Sequence, residues 1–128
     1  MSAPGEMVGP RVLLRPFALG DVPAVLAYAS DPEVTRHLQW DTYDDPATAA
    51  SFIRSTLGGG DTWFARAIVL RETDAVIGGA DLRVVSPPDR RAELGYGLAR
   101  AYWSNGYATE AARDLYLYAI TRADWDGV

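Results

Sequence analysis

Residues 91–115 read RAELGYGLARAYWSNGYATEAARDL. In the first part, Glu93, Gly95 and Gly97 fall on one face of a strand by its period of two, and Leu94, Tyr96 and Leu98 on the other. One face therefore carries a carboxylate and then two positions without side chains. Glycine weakens a strand and often marks close approach by a ligand or another backbone. The pattern reads as an open slot beside Glu93, or as a strand packed tightly under a helix with Glu93 in a solvent salt bridge. The second part, YWSNGYATEAA (residues 102–112), turns at Asn105–Gly106 and feeds straight into a helix. A helix N-terminus has unpaired N–H groups and a partial positive charge, so it attracts phosphate. A phosphate reaches those groups only past small side chains. Gly106 and Ala108 meet that demand, and Ser104 and Asn105 are compact. An ordinary Asn-Gly turn with a helix cap is the competing reading. The Gly-Lys-Ser/Thr signature of a Walker A loop is absent, and so is Gly-x-Gly-x-x-Gly.

Working outward, the helix runs from about Tyr107 to Thr121, with Ala108, Ala111, Ala112, Leu115 and Ala119 on one face. Upstream, WFARAIVL (63–70), AVIGGADLRVV (75–85) and RAELGYGLA (91–99) form a meander of three strands, with turns at RETD and SPPDR. RVLLRPF (11–17) is a first strand closed by Pro16. Asp21 reads as the N-cap of a helix with Pro23 in its first turn, Asp31–Pro32 restarts a short helical turn, and Asp45–Pro46 starts another helix stopped by Gly58–Gly60. Strand, helices, three antiparallel strands, helix is an α+β arrangement.

Composition narrows the function classes. The chain has 128 residues, 12 Lys plus Arg against 17 Asp plus Glu, and a net charge of −5. That balance argues against general binding to nucleic acid or an anionic membrane, which needs a basic face. There is no Cys and one His, which leaves no thiolate nucleophile, no disulfide and no His- or Cys-built metal site. No apolar run is long enough to span a bilayer, and MSAPGEMVGP lacks the apolar core of a signal peptide. Residues 1–10 are expected to be a flexible tail, and the protein cytoplasmic. Ser, His and Asp occur without a nucleophile-elbow pattern, so a hydrolase triad is not expected.

Residues 91–115 resemble the GNAT superfamily of N-acetyltransferases, and most of all the branch that includes the ribosomal-protein N-terminal acetyltransferases RimJ and RimL. The resemblance extends upstream through RVLLRPFALGDVPAVLAYASDPEVTRHLQW and FARAIVLRETDAVIGGADL, covering residues 11–128 as one domain. It implies a GNAT-like α+β fold: a mixed, mostly antiparallel sheet flanked by helices and splayed between its fourth and fifth strands, with acetyl-CoA in the splay. The cosubstrate's pyrophosphate would meet the backbone N–H groups of Trp103, Ser104, Asn105, Gly106, Tyr107 and Ala108. Leu98 would offer its backbone to the pantetheine arm as an added strand does. The implied reaction is acetyl transfer to a primary amine, at a protein N-terminus or on a small molecule, with no metal. Glu93 is the carboxylate placed to take the amine's proton, and a backbone N–H near Leu98 would hold the oxyanion. His37 and Trp40 fall where relatives shape the acceptor pocket, although a lone His is commonly structural.

Family members continue with a fifth strand, a helix and closing strands, whereas this sequence stops at Val128, about where the fifth strand begins. A C-terminally truncated domain is the expectation. Its fourth strand would be an exposed edge, favouring a homodimer or strand exchange with weak or no catalysis. The other possibility is a degenerate module that binds CoA or a partner without catalysis.

Overall fold

The computed structural model describes residues 6–36, 42–57, 63–86 and 91–122. Five strands lie side by side in chain order, every neighbouring pair antiparallel. They are β1 (Met7–Val8), β2 (Val12–Arg15), β3 (Trp63–Leu70), β4 (Ala75–Ser86) and β5 (Arg91–Leu98). Helices α1 (Val22–Ala29), α2 (Pro32–Thr35) and α3 (Pro46–Leu57) separate β2 from β3, and α4 (Tyr107–Arg122) follows β5. The architecture is the expected α+β one. Among the described residues, no helix is long and apolar enough to cross a membrane.

The sheet is buried on both faces, which is why β3 reads as a nearly continuous apolar run. On one face, Val12, Leu14, Ile68, Leu82 and Leu98 pack with Ala111 and Leu115 of α4. On the other, Ala65 and Ala67 pack with Val25, Ala29, Ala49 and Ile53 of α1 and α3. The β3–β4 turn closes at Asp74, whose φ of 60° is the left-handed conformation that Asp tolerates. The pairing shifts register between Ile68 and Val69, where β4 holds one extra residue, Ile77. This bulge puts Ile77 in the core beneath α4.

Two local expectations change. Residues 1–10 are not all tail: Met7 and Val8 pair with Leu14 and Leu13, and Arg71 Nη1 donates to the Gly9 carbonyl at 2.8 Å. A two-residue strand has no periodicity to read, so its pairing was invisible in the sequence. Asp21 does not cap α1 with its side chain. It ends a 3₁₀ turn and accepts from both terminal nitrogens of Arg15 (2.8 and 2.9 Å) and from Ala18 N–H (2.8 Å). Burial pushes the Asp21 carboxyl up, but the Arg15 and Ala18 hydrogen bonds outweigh it and hold it below its ordinary value. Asp45 caps α3 as expected, accepting from Ala47 N–H (2.9 Å), and the helical turn that restarts at Asp31–Pro32 is capped by Asp31, which accepts from Glu33 N–H (3.0 Å). The glycine stop at 58–60 and the turn at 87–90 lie outside the described residues.

Candidate active site

Antiparallel register puts directly opposed residues on one face. Asp81 faces Gly95, Arg83 faces Glu93, and Gly79 faces Gly97 across β4 and β5; Trp63 and Ala65 continue that face on β3. The glycine face of β5 therefore borders a charged strip on β4. The face is filled at one end of the strip and open at the other. At Gly79, Phe17 and the Tyr28 hydroxyl fill the space, at 2.8 and 2.9 Å from where a Cβ would sit. At Gly95 the nearest atom is Asp81 Oδ1, 2.7 Å from the Cβ position. That end is an open slot with a carboxylate in it.

Asp81 is held by one oxygen. Trp63 Nε1–H donates to Oδ2 at 2.8 Å, and the Arg83 guanidinium lies 5.5 Å from the centre of the same indole. Burial raises the Asp81 carboxyl above its ordinary value, helped by the Glu93 carboxylate and opposed by the Trp63 bond and Arg83. Glu93 itself is exposed, at the outer end of the strip. It makes no ion pair among the described residues, because the cation opposite it, Arg83, lies over Trp63.

A cleft of about 1290 Å³ joins this face to the start of α4. Its walls include Asp81, Glu93 and Leu98 from the strands and Gly106, Tyr107 and Ala108 from the helix. Ser104 and Gly106 both take positive φ (66° and 79°) and bend the chain into α4. The first bond of the helical ladder runs from Glu110 N–H to the Gly106 carbonyl. The N–H groups of Tyr107, Ala108 and Thr109 precede it, and these three residues line the cleft. A helix of this length adds its partial positive charge at that point.

The cradle is anchored from behind. Glu110 is buried, and its Oε2 accepts from the backbone N–H of Arg11 and Val12, both at 2.9 Å, while Oε1 takes Arg11 Nε at 2.9 Å. Burial pushes Glu110 up, but these donors outweigh it and hold the carboxyl below its ordinary value. The same Arg11 donates to the Asn105 carbonyl at 2.6 Å and lies 4.9 Å from the Tyr107 ring centre. Asn105 uses its side-chain amide to hold the Tyr102 and Trp103 carbonyls, at 3.2 and 3.0 Å.

The sequence-assigned residues thus separate. Glu93, Leu98, Trp103, Ser104, Gly106, Tyr107 and Ala108 line one cleft, whereas Asn105 is turned into the loop and is not among its lining residues. The Leu98 carbonyl already accepts from Trp103 Nε1–H at 2.7 Å. His37 and Trp40 lie outside the described residues. Asp81 was missed. It sits inside an apolar-looking run, and only pairing that run against β5 places it over Gly95. The signal was in the period of two, had it been carried from β5 across to β4.

Comparison with known proteins agrees with this geometry. The family model described as "Acetyltransferase (GNAT) domain" matches residues 11–128, and the chain belongs to that family. It is 35% identical over 115 residues to p20 of Bacillus licheniformis, named an uncharacterized N-acetyltransferase; the match covers 87% of this chain and 64% of that protein. The chain therefore spans less than two thirds of that relative's length. Its fold is similar to a GNAT-family acetyltransferase from Bacillus anthracis (TM-score 0.77, 21% identity, 91% of this chain and 66% of that one). It is also similar to RimL, a ribosomal alpha-N-protein acetyltransferase solved with coenzyme A (TM-score 0.76, 16% identity, 92% and 68%).

Proposed function

We propose that the chain is an acetyl-CoA-dependent N-acetyltransferase that moves an acetyl group to a primary amine. The observation that carries this reading is the single cleft joining a glycine-faced slot with carboxylates to a helix N-terminus. Diphosphate chemistry fits the cradle: free N–H groups at Tyr107 and Ala108 converge past Gly106, where a Cβ would lie 3.1 Å from Arg11 Nη2. Bound there, acetyl-CoA supplies an activated acyl thioester. Gly106, Tyr107 and Ala108 hold its diphosphate, and the Leu98 N–H faces the cleft as the donor for the pantetheine arm or the oxyanion. That phase is supported by the Ala99 N–H bond to Ile77, which aims the odd-numbered residues of β5 at β4 and the even-numbered ones at the open edge. Glu93, beside the slot, is the base on the path of the proton that the acceptor must lose before it can attack, receiving it directly or through an intervening group.

The protein is assigned to the cytoplasm, and its acceptor is a protein N-terminus or a small amine. Among the described residues β5 is the edge of the sheet, with Leu94 and Tyr96 exposed on it. That supports pairing with a second copy or strand exchange through this edge, readable by sedimentation.

A thiol-release assay with acetyl-CoA and a panel of amines, run beside calorimetry with CoA, tests the reading. Turnover with CoA binding is the expected outcome. CoA binding without turnover would favour a degenerate binding module, and no CoA binding would sink both. Glu93→Gln should lower turnover at neutral pH by about 10²-fold or more and leave CoA affinity near wild type. Equal losses in both would remove Glu93 from the proton path.

A further inference from the structure

We propose that Asp81 receives the acceptor: its Oδ1 contacts the ammonium of a primary amine carried on an apolar body and takes that ammonium's proton. This rests on the N-acetyltransferase reading and specifies its substrate class. Three features of the geometry carry it.

First, the two carboxylate oxygens differ. Oδ2 is fixed by Trp63 Nε1–H at 2.8 Å, and the Arg83 guanidinium lies over the indole in turn. Oδ1 accepts no hydrogen bond among the described residues. Second, Oδ1 occupies the space above Gly95, 2.7 Å from the Cβ position, so it reaches the cleft only because that residue is glycine. A carboxylate with one oxygen clamped and the other exposed to a cleft is oriented for a ligand cation. Third, the surroundings are aromatic. Phe17, Tyr28 and Phe52 line the same cleft, and the Phe17 and Phe52 rings meet edge to face with centroids 5.4 Å apart. A half-buried carboxylate in an aromatic-lined cleft favours an ammonium on an alkyl or aryl body over a fully solvated polycation.

Among the described residues, the charged and titratable groups facing Asp81 are few. They are Arg83 on its own strand, Glu93 on β5, and the cleft-lining hydroxyls of Tyr28 from α1 and Tyr43 before α3. Burial raises both tyrosines above their ordinary value, so they stay neutral at working pH. The burial that raises Asp81 also makes it a stronger base than an exposed carboxylate. In the reaction, the ammonium gives one proton to Oδ1, leaving a nitrogen lone pair. The bond formed joins that nitrogen to the acetyl carbonyl carbon, and the bond broken is carbon to sulfur. The second N–H proton ends on sulfur. The proton on Asp81 leaves to solvent past Glu93. Ammonium and thioester thus give amide, thiol and one proton.

The test uses the full chain with 2-phenylethylamine as probe and 2-phenylethanol as its neutral analogue. The Trp63 Nε1–H resonance, assigned with Trp63→Phe, reports on Asp81. In the wild type it should shift saturably with the amine and not with the alcohol; Asp81→Asn should abolish the shift. With acetyl-CoA, Asp81→Asn should lower kcat/KM by about 100-fold or more and remove the acid limb of its pH profile. Asp81→Glu should recover part of both. If Asp81→Asn does not fold, Gly95→Ala displaces the carboxylate instead and should weaken the shift. The proposal is overturned if the amine leaves Trp63 unmoved in the wild type, or moves it equally in Asp81→Asn. It is equally overturned if that variant keeps its acid limb. Failure of CoA to bind in calorimetry would sink the acetyltransferase reading, while the amine titration still decides Asp81.

Discussion

The two sides of the α4 N-terminus are built to opposite rules. Behind it, the corner of β2, Arg11 and Glu110 is closed. A buried carboxylate meets two backbone N–H groups and a guanidinium, and the donors hold its pKa down. In front of it, the β4–β5 face is open. Among the described residues the Asp81 side chain has one hydrogen bond, burial raises its pKa, and glycine stands where a side chain would close the gap. Satisfied polar groups stabilise and fix; a buried group left partly unsatisfied costs stability and stays available for a ligand. The contrast locates where this fold is held and where it can react.

Mutations at the two places should therefore separate stability from function. The largest stability loss is expected at the closed corner. Glu110→Ala removes the acceptor of two backbone donors and of Arg11, and should lower unfolding free energy by about 2–4 kcal/mol, read by urea titration. The same carboxylate gives the corner a pH dependence. Its folded pKa lies below its unfolded value, so its stabilisation is full above the ordinary carboxylate range. That stabilisation is lost as pH falls through the folded value. Glu110→Gln should flatten that acid-side loss, and an unchanged acid limb of stability would show that the clamp is not what titrates.

The open face should behave in the reverse way. Gly95→Val adds a branched side chain against the end of the flexible Asp81 side chain, where the first added carbon is 2.7 Å from Oδ1. Turnover should fall by about 100-fold through misplacement of the reacting groups. Stability should change by less than about 1 kcal/mol, because valine favours a strand. A variant as active as wild type would remove the slot from the chemistry. The smallest expected effect joins the two sides. Gly106→Ala forces a side chain to φ near 79° and to within 3.1 Å of Arg11 Nη2. It should cost about 1 kcal/mol of stability and weaken CoA binding in calorimetry. Lost stability with unchanged CoA affinity would make Gly106 a turn residue alone.

Much of this was legible because it is local. The β-rich apolar run WFARAIVL and the alternation in RAELGYGL marked those strands, and Asp31 and Asp45 cap their helices by reaching only two residues along the chain. The cradle was legible for the same reason, since a turn at Ser104–Gly106 and the helix after it are neighbours in sequence. Asp21 was misread because its donor, Arg15, is supplied by a strand lying outside the helix it precedes. The inward bonds of the Asn105 side chain were not legible, because they depend on how the turn folds over Tyr102 and Trp103.

By itself, then, the sequence determined the order of elements from β2 onward, the two-faced character of β5 and the small residues at the start of α4. These follow from backbone sterics and side-chain period, which act over a few residues. Only the tertiary structure decided that Asp81 stands over Gly95 and that Glu110 clamps residues about a hundred positions away. It alone decided that slot and cradle open into one cleft. Those outcomes depend on strand register and on the packing of α4 across the sheet, and neither is a property of any single segment.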